Sequence, residues 1–308
     1  MSAPSVGSVL ARAGSVAGAV ALAGTAGVGY AWLEARSFRL RRVEVPVLPA
    51  GADRIRILHL SDLHLTPGQH RKRTWVSRLA GLEPDLVVDT GDNLAHVDAV
   101  GPVLETFGRL LDRPGVFVWG SNDYHGPSFK NPARYLRQPT DPTKSALPDL
   151  PWTDLRDGFE AHGWDDLTHH RVTREIAGLR IEFRGTDDAH LGRDDYAQVA
   201  GPPAEGVDLS IGVTHAPYRR ILDAMTADEV DLILAGHTHG GQLCVPGYGA
   251  LVTNCDLDTK RAKGLSTNET TDQTSWLHVS GGLGTSPYAP VRFACPPEAT
   301  LLTLVPAP

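Results

Sequence analysis

The chain has 308 residues, of which 41% are hydrophobic and 21% charged, and its formal net charge is −7 at pH 7. Such a chain can bury a sizeable core, and its composition excludes a fibrous or disordered protein. The acidic balance and the lack of a long Lys/Arg block argue against nucleic acid as a partner. The cysteines Cys244, Cys255 and Cys295 have no C-x-x-C spacing, which disfavours a cysteine zinc site. Their odd number argues against a disulfide framework and leaves one disulfide plus a free thiol as the alternative.

The first 35 residues differ from the rest of the chain. No charged residue occurs from Ala13 to Leu33, and a bilayer is crossed by about 20 residues. We therefore predict that residues 1–35 form an apolar helix that anchors the protein in the cell membrane by a single pass. An export signal and a soluble terminal helix are the alternatives. The arginines after the run favour a cytoplasmic main domain, but a first strand begins among them, which leaves the side of the membrane open.

Residues 36–53 are predicted to be a connector, although residues 38–47 also have the pattern of a first strand, and residues 54–308 to be one domain. Short apolar runs predict buried strands at residues 55–60, 86–88, 116–119, 209–213, 232–235 and 277–279. Amphipathic stretches predict helices at residues 74–81, 97–111 and 218–225. This alternation indicates an α/β fold. The proline-rich stretch from about 124 to 157 predicts an inserted lid or cap.

Polar side chains follow the ends of the first three strands in the predicted domain. Asp62 and His64 come two residues apart after the first strand, so in an extended chain they share a face. Asp92 follows the second strand, and its carboxylate can bridge two cations. Asn122 follows the third strand and offers an amide oxygen. Because ligand sites in α/β sheets lie at the carboxyl ends of strands, these side chains are predicted to meet at one edge.

Histidines follow two later strands. His215 comes directly after one of them, where a lone histidine is more often structural than a ligand. His237 and His239 follow the next one, two residues apart and flanked by glycines, which is a stronger signal. Imidazoles suit Zn, Fe, Mn and Ni, whereas carboxylates suit harder cations. Five strand ends that carry metal-compatible side chains in one chain therefore predict a metal site.

In this order the motifs resemble those of the calcineurin-like metallophosphoesterases, from about residue 54 to the C-terminus. The closing segment, residues 280–298, is similar to a membrane-associated bacterial branch, some of whose members act on UDP-2,3-diacylglucosamine. The resemblance implies a four-layer β-sandwich flanked by helices, and two divalent metal ions (Mn, Fe, Zn or Mg). It implies that Asp62, His64 and His239 hold one ion, that Asn122, His215 and His237 hold the second, and that Asp92 bridges them.

The third motif departs from the family pattern, in which a histidine follows the asparagine. An alignment on the preceding strand keeps Asn122 as the ligand, whereas an alignment on Gly120 puts Ser121 at that position. We prefer the first, because Asn is a far better metal ligand than Ser. In either alignment the histidine that helps to stabilise the phosphoryl group or protonate the leaving group is missing. Asp123 or His125 is the candidate for this general-acid role.

These features predict a phosphoester or pyrophosphate hydrolase in which a metal-bound hydroxide attacks phosphorus. The substrate class implied is a phosphorylated small molecule or a lipid-linked phosphate at a membrane, with no nucleic acid. The alternative is a non-catalytic, membrane-anchored metal-binding scaffold with a degenerate third motif. Asp187 and Asp188 follow a further apolar strand, where they either support the site or cap a turn.

Overall fold

The computed structural model describes residues 24–127 and 149–308. Of the predicted N-terminal apolar helix, only residues 24–34 are described, and they form the helix α1. Residues 1–23 of that prediction lie outside the described part of the chain. Among the described residues, no helix has the length and apolar character needed to cross a membrane.

The first of two six-stranded sheets has the strand order β1-β14-β2-β3-β4-β5. Its strands are β1 (Arg39–Leu48), β2 (Ile55–Leu60), β3 (Leu86–Asp89), β4 (Gly115–Phe117), β5 (Asp165–Asp166) and β14 (Glu298–Pro306). The sheet is mixed, because β14 runs antiparallel to β2 while all other neighbours are parallel. Strand β1 pairs along its length with β14. Residues 39–48 of the predicted connector therefore form an edge strand of the sheet.

The second sheet has the order β12-β13-β9-β8-β7-β6. Its strands are β6 (Arg171–Ile176), β7 (Leu179–Gly185), β8 (Leu209–Thr214), β9 (Leu232–Ala235), β12 (Gly264–Glu269) and β13 (Thr274–Val279). The four central strands are parallel, and an antiparallel strand closes each edge. A separate hairpin is formed by β10 (Cys244–Val245) and β11 (Gly249–Ala250).

The two sheets pack face to face, and helices cover both outer faces. The strands alternate accordingly: Ile57 and Val88 lie in the core between the sheets, whereas Leu58 and Val87 face the helices. The remaining helices are α2 (His70–Ser77), α3 (Val100–Phe107), α4 (Ser121–Tyr124), α5 (Trp152–Ala161) and α6 (Arg219–Ala227). Helices α2, α3 and α5 cover the first sheet, and α6 covers the second. The predicted α/β sandwich with flanking helices is confirmed.

Several boundaries differ from the prediction. Helix α2 begins at His70 and continues as the 3₁₀ turn Arg78–Leu82, and α3 ends before Gly108, whose φ is 45°. The other 3₁₀ turns are Gly108–Leu110, Tyr196–Gln198, His239–Gly241 and Thr259–Arg261. Residues 128–148 of the predicted cap lie outside the described residues. Its last six residues are part of α5, which buries Leu155 and Phe159 in the core, so they are not a lid.

Candidate metal centre

The candidate ligands lie on turns that directly follow strands of both sheets. In the turns after β2, β3 and β9 the backbone of the candidate ligands is left-handed: φ is 52° at Asp62, 42° at His64, 59° at Asp92, 69° at His237 and 50° at His239. This conformation is uncommon outside glycine and costs of order 1–3 kcal/mol per residue, so surrounding contacts must impose it. Backbone hydrogen bonds supply such contacts, as when the N–H of His64 donates to the carbonyl of Asp92 at 2.8 Å.

Four of the candidate side chains form a tight cluster. Ligand atoms of Asp62, His64, Asp92 and His239 all lie within 4.8 Å of one another. His64 Nε2 is 3.2 Å from His239 Nε2 and 3.4 Å from Asp92 Oδ2, and His239 Nε2 is 3.6 Å from Asp62 Oδ1. Two carboxylates and two imidazoles converging on one point match the donor set of a divalent transition metal.

The other candidates approach Asp92 either directly or through His215. His215 Nε2 is 3.5 Å from Asp92 Oδ2. The backbone N–H of Asn122 donates to Asp92 Oδ1, and its amide donates to Oδ2, both at 2.7 Å. The ring centroids of His215 and His237 are 5.2 Å apart. The structure thus gathers all seven predicted side chains around the carboxylate of Asp92.

Hydrogen bonds leave one nitrogen of each histidine in this second group available to a metal. His215 Nδ1 lies 2.7 Å from the carbonyl of Thr90 and donates to it. Its buried Nε2 has no hydrogen-bond partner, although it faces Asp92. His237 Nε2 lies 3.2 Å from the carbonyl of Asn254, so this nitrogen donates and Nδ1 keeps its lone pair. A buried imidazole nitrogen without a partner fits a cation, because a bound ion replaces the missing hydrogen bond.

Comparison with known proteins agrees with this geometry. Residues 55–241, more than half of the chain, match the family model for calcineurin-like phosphoesterases. The chain belongs to the calcineurin-like phosphoesterases. It is accordingly a phosphoester hydrolase of a family that uses divalent metals.

Individual relatives extend over most of this phosphoesterase. It is 29% identical over 299 residues to the uncharacterised metallophosphoesterase YkuE of Bacillus subtilis, covering 92% of each chain. It is 25% identical over 300 residues to the phosphodiesterase YaeI of Escherichia coli, covering 93% of this chain and 96% of that one. Among solved structures, TT1561 of Thermus thermophilus is matched with a TM-score of 0.41 and 12% identity, over 75% of this chain and 91% of that one.

Electrostatics favour the neutral form of the two imidazoles in the phosphoesterase's four-residue cluster. Burial and the neighbouring Asp92 raise the pKa of Asp62 to about 6, although His215 opposes this. Burial lowers the pKa of His64 to about 4 and that of His239 well below its usual value. Burial alone would also lower the pKa of His215, but the carboxylate of Asp92 reverses this and raises it. Near neutral pH, His64 and His239 are therefore neutral, which is the form that binds metals.

His239 is oriented by a residue that sequence reasoning did not select. Arg292 is fully buried and donates to the carbonyls of Gly281 and Gly284, each at 2.8 Å, and to that of His239 at 3.2 Å. His239 Nδ1 lies 3.1 Å from the same Gly284 carbonyl. Donation to that carbonyl leaves Nε2 directed into the cluster. In the sequence, Arg292 was part of the closing segment 280–298 that resembles a branch of the family, but nothing there assigned it a role of its own.

Asp123, a predicted general acid, has a different environment from the one that role requires. Its side chain is fully buried, and its two oxygens accept four backbone N–H groups. Oδ2 accepts from Asp92 at 2.7 Å and Gly120 at 3.0 Å, and Oδ1 accepts from Asn93 at 2.7 Å and Leu94 at 3.1 Å. Burial raises the pKa of Asp123 to about 7. These contacts argue against proton donation to a leaving group and assign Asp123 to holding the two ligand-bearing turns together.

His125, the other predicted acid, is brought to the edge of the fold. Its Nδ1 lies 3.1 Å from Asp149 Oδ1, and 38% of its side chain is exposed. The side-chain contacts of His125 among the described residues are with Asp149 and the ring of Tyr124, and neither joins it to the cluster.

A further histidine lies against the centre without having been singled out. The ring of His190 is 4.6 Å from that of His237, and its Nδ1 is 3.1 Å from the hydroxyl of Tyr218. It follows the pair Asp187-Asp188, of which Asp188 is fully buried and accepts the backbone N–H of His190. Asp187 accepts a hydrogen bond from Tyr124 at 2.6 Å. The sequence signal was present, since His190 ends the motif that begins after β7.

Proposed function

We propose that this phosphoesterase hydrolyses phosphoester or pyrophosphate bonds with two divalent metal ions (Mn, Fe, Zn or Mg) bound side by side. One ion would be held by Asp62, His64 and His239, the other by Asn122, His215 and His237, with Asp92 between them. The position of Asp92 carries the proposal. Its Oδ2 is 3.4 Å from His64 Nε2 and 3.5 Å from His215 Nε2, so one carboxylate can serve both groups.

The bound cations would supply Lewis acidity and lower the pKa of a coordinated water, which is the nucleophile that this chemistry needs. The protein's own groups hold the candidate ligands in position. The backbone N–H of Asn122 fixes Asp92 Oδ1, and the Thr90 carbonyl fixes the ring of His215. A half turn of the Asn122 amide would present its oxygen in place of the nitrogen near Asp92. The non-catalytic alternative is disfavoured, because Asn122 reaches Asp92 despite the altered third motif.

The substrate is proposed to be a phosphodiester or pyrophosphate, including lipid-linked forms. The relative named phosphodiesterase supports the diester. The narrower resemblance to enzymes that act on UDP-2,3-diacylglucosamine, a lipid pyrophosphate, stays a prediction, as does His125 as the source of the leaving-group proton.

The proposal is tested on the full chain after chelation and reloading with Mn²⁺. Metal analysis should give two ions per chain, and bis-p-nitrophenyl phosphate should be hydrolysed. Asp92→Asn should lower kcat/KM by at least about a hundredfold and reduce the metal content, because loss even of an outer contact to a metal costs 10–100-fold. Asp98→Asn, on an exposed side chain of the same turn region, is the matched control. Full activity in Asp92→Asn, or full activity with a single bound ion, would contradict the proposal.

A further inference from the structure

The exposed large hydrophobic side chains are concentrated in three segments. Apart from Val97, every such side chain in the described residues lies on α1, on the segment 243–251 around the β10–β11 hairpin, or at Tyr288 in the loop 284–291. The most prominent are Tyr30, Trp32, Leu243, Tyr248, Leu251 and Tyr288, and Tyr248 is 73% exposed. We call these three segments the apolar rim. Monomeric soluble proteins rarely expose contiguous apolar patches of this kind without a partner.

The three segments of the apolar rim touch one another. The ring of Tyr30 on α1 packs edge-on against Phe293 at 5.3 Å. Phe293 in turn forms a parallel bridge with Leu243 at the start of the hairpin segment. Gln242 donates from its amide to the carbonyl of Ala289 in the third segment at 3.1 Å. These contacts, made through Phe293 and Gln242, place the three segments next to one another.

The apolar rim also borders the metal centre. The turn that carries His239 leads directly into the hairpin, and a Cβ on its Gly241 would overlap Ala250. The carbonyl of Gly284, in the third segment, lies against His239 Nδ1. The side chain of His239 is 15% exposed, compared with 4% or less for Asp62, His64 and Asp92. The centre thus reaches solvent on the side where the apolar rim begins.

Charge and residue type indicate what covers this surface. No Asp, Glu, Lys or Arg occurs in residues 24–33 of α1, in residues 240–255 or in residues 273–291. Basic side chains adjoin α1: the guanidinium of Arg36 lies 3.7 Å from the ring of Trp32, and Arg39 is exposed. Tyr and Trp beside an uncharged surface, flanked by arginine, are the composition of a contact with anionic lipid head groups.

We propose that the apolar rim docks on the surface of an anionic lipid bilayer, with Tyr248, Leu251 and Tyr288 below the head groups. Docking would place the mouth of the metal centre at the level of the head groups, where phosphate esters of lipids lie. Docking itself does not depend on the proposed hydrolysis, but the access of lipid phosphates to the centre rests on it.

The decisive experiment measures the depth of single tryptophans in the full chain. Tyr248→Trp and the matched control Val97→Trp, which is 53% exposed but lies outside the apolar rim, are mixed with phosphatidylcholine–phosphatidylglycerol vesicles that carry brominated acyl chains. The emission added by each new tryptophan is obtained by subtracting that of the unmodified chain. It should be quenched for Tyr248→Trp and unaffected for Val97→Trp. Both variants carry the same N-terminal run, so equal quenching or none would overturn the proposal.

A second measurement separates docking from hydrolysis. The double variant Tyr248→Ser/Leu251→Ser should bind the same vesicles at least about tenfold more weakly, since two apolar side chains that docking would bury are replaced by polar ones. Its hydrolysis of soluble bis-p-nitrophenyl phosphate should equal that of the unmodified chain. If no variant hydrolyses this substrate while the Tyr248→Trp emission is still quenched, the proposed function fails and docking stands. Concentration-dependent dimers without quenching would assign the surface to a second copy of the chain and overturn docking.

Discussion

At the scale of single residues, Asp123 joins the turns on which the candidate ligands sit. The backbone of the turn after β3 and that of the turn after β4 both donate to this one carboxylate, which fixes where Asp92 and Asn122 point. A carboxylate accepts all four N–H groups, whereas an amide has only one acceptor oxygen. Asp123 is therefore best tested by a substitution that keeps its shape.

We expect Asp123→Asn to turn two of the four hydrogen bonds into contacts between donors. The turnover of p-nitrophenyl and alkyl phosphodiesters should fall by the same factor, because the turns shift for both. A loss that grows as the leaving group becomes more basic would instead restore Asp123 as the general acid.

Two buried histidines, His59 and His278, make the stability of the fold depend on pH. His59 Nδ1 lies 3.0 Å from His278 Nδ1, and both rings are buried. Burial lowers the pKa of His278 from 6.5 to about 4 and that of His59 well below its usual value. The unfolded chain therefore takes up protons first as the pH falls. The stability contributed by the neutral pair is complete above pH 6.5 and is lost as the pH drops towards 4.

This loss of stability should appear as a slope when the unfolding free energy is plotted against pH. For each of the two histidines, the unfolding free energy should fall by up to about 1.4 kcal/mol per pH unit below pH 6.5. His278→Asn removes one titrating group and should give a shallower slope in urea titrations of the chelated protein between pH 7 and 5. Parallel slopes for the two proteins would contradict the buried neutral pair. His96→Asn, at an exposed histidine, is the control that should leave the slope unchanged.

At the scale of elements, the centre depends on how closely the turn after β4 approaches the turns after β3 and β8. A Cβ on Gly120 would lie 2.2 Å from Asp92 Oδ1 and 2.6 Å from His215 Cε1, which no relaxation of the backbone can accommodate without moving a candidate ligand. The φ of Gly120 is −109°, so alanine is allowed by the backbone and excluded only by these side chains.

Gly120→Ala should therefore fold but lose metal. We expect a Mn²⁺ content below one ion per chain and a fall in kcat/KM of at least about a hundredfold, as for the loss of metal-positioning contacts. Gly101→Ala is the matched control, since nothing lies within 4 Å of its Cβ and it stands in α3, where alanine is favoured by about 1 kcal/mol. Normal metal content in Gly120→Ala would show that the turns are further apart than the structure places them.

Local sequence patterns predicted the parts of this arrangement that depend on nearby residues. Strands β2, β3, β8 and β9 are short buried apolar runs, and the side chains after them reach one edge because parallel strands end there. The prediction missed features that arise from contacts between distant segments. Arg292 meets His239 across 53 positions, and β1 pairs with the last strand, so no local periodicity marks either. The left-handed turns were missed too, because contacts between the turns impose them on residues without that intrinsic preference.

At the scale of the whole molecule, the centre spans the two sheets. Asp62, His64, Asp92 and Asn122 come from the first sheet, whereas His215, His237 and His239 come from the second. Bound cations would therefore link the open ends of the two layers, and metal binding would stabilise the entire sandwich. Ligand binding at a hundred times the Kd raises the unfolding free energy by about 2.7 kcal/mol.

Because Asp62 is buried at this junction, its carboxylate has opposite effects on the stability of the fold with and without bound metal. In the metal-free protein, burial raises the pKa of Asp62 from 3.8 to about 6, so the stability it contributes is lost as the pH rises through 6. At pH 8 the ionised group costs on the order of 2–3 kcal/mol, and Asp62→Asn should stabilise the chelated protein by up to that amount. With saturating Mn²⁺ the Asp62→Asn variant should be less stable than the unmodified chain, because it has lost a candidate ligand.

Thermal unfolding at pH 8, with EDTA and with Mn²⁺, measures both halves of this reversal on one pair of proteins. Asp98→Asn, which replaces an exposed carboxylate, should follow the unmodified chain in both conditions. If Asp62→Asn were the less stable protein in EDTA as well, Asp62 would act through its hydrogen bonds with Ser61 and the backbone of His237. A reversal would instead show that the fold keeps a destabilising charge at the junction of its two sheets because a cation compensates it.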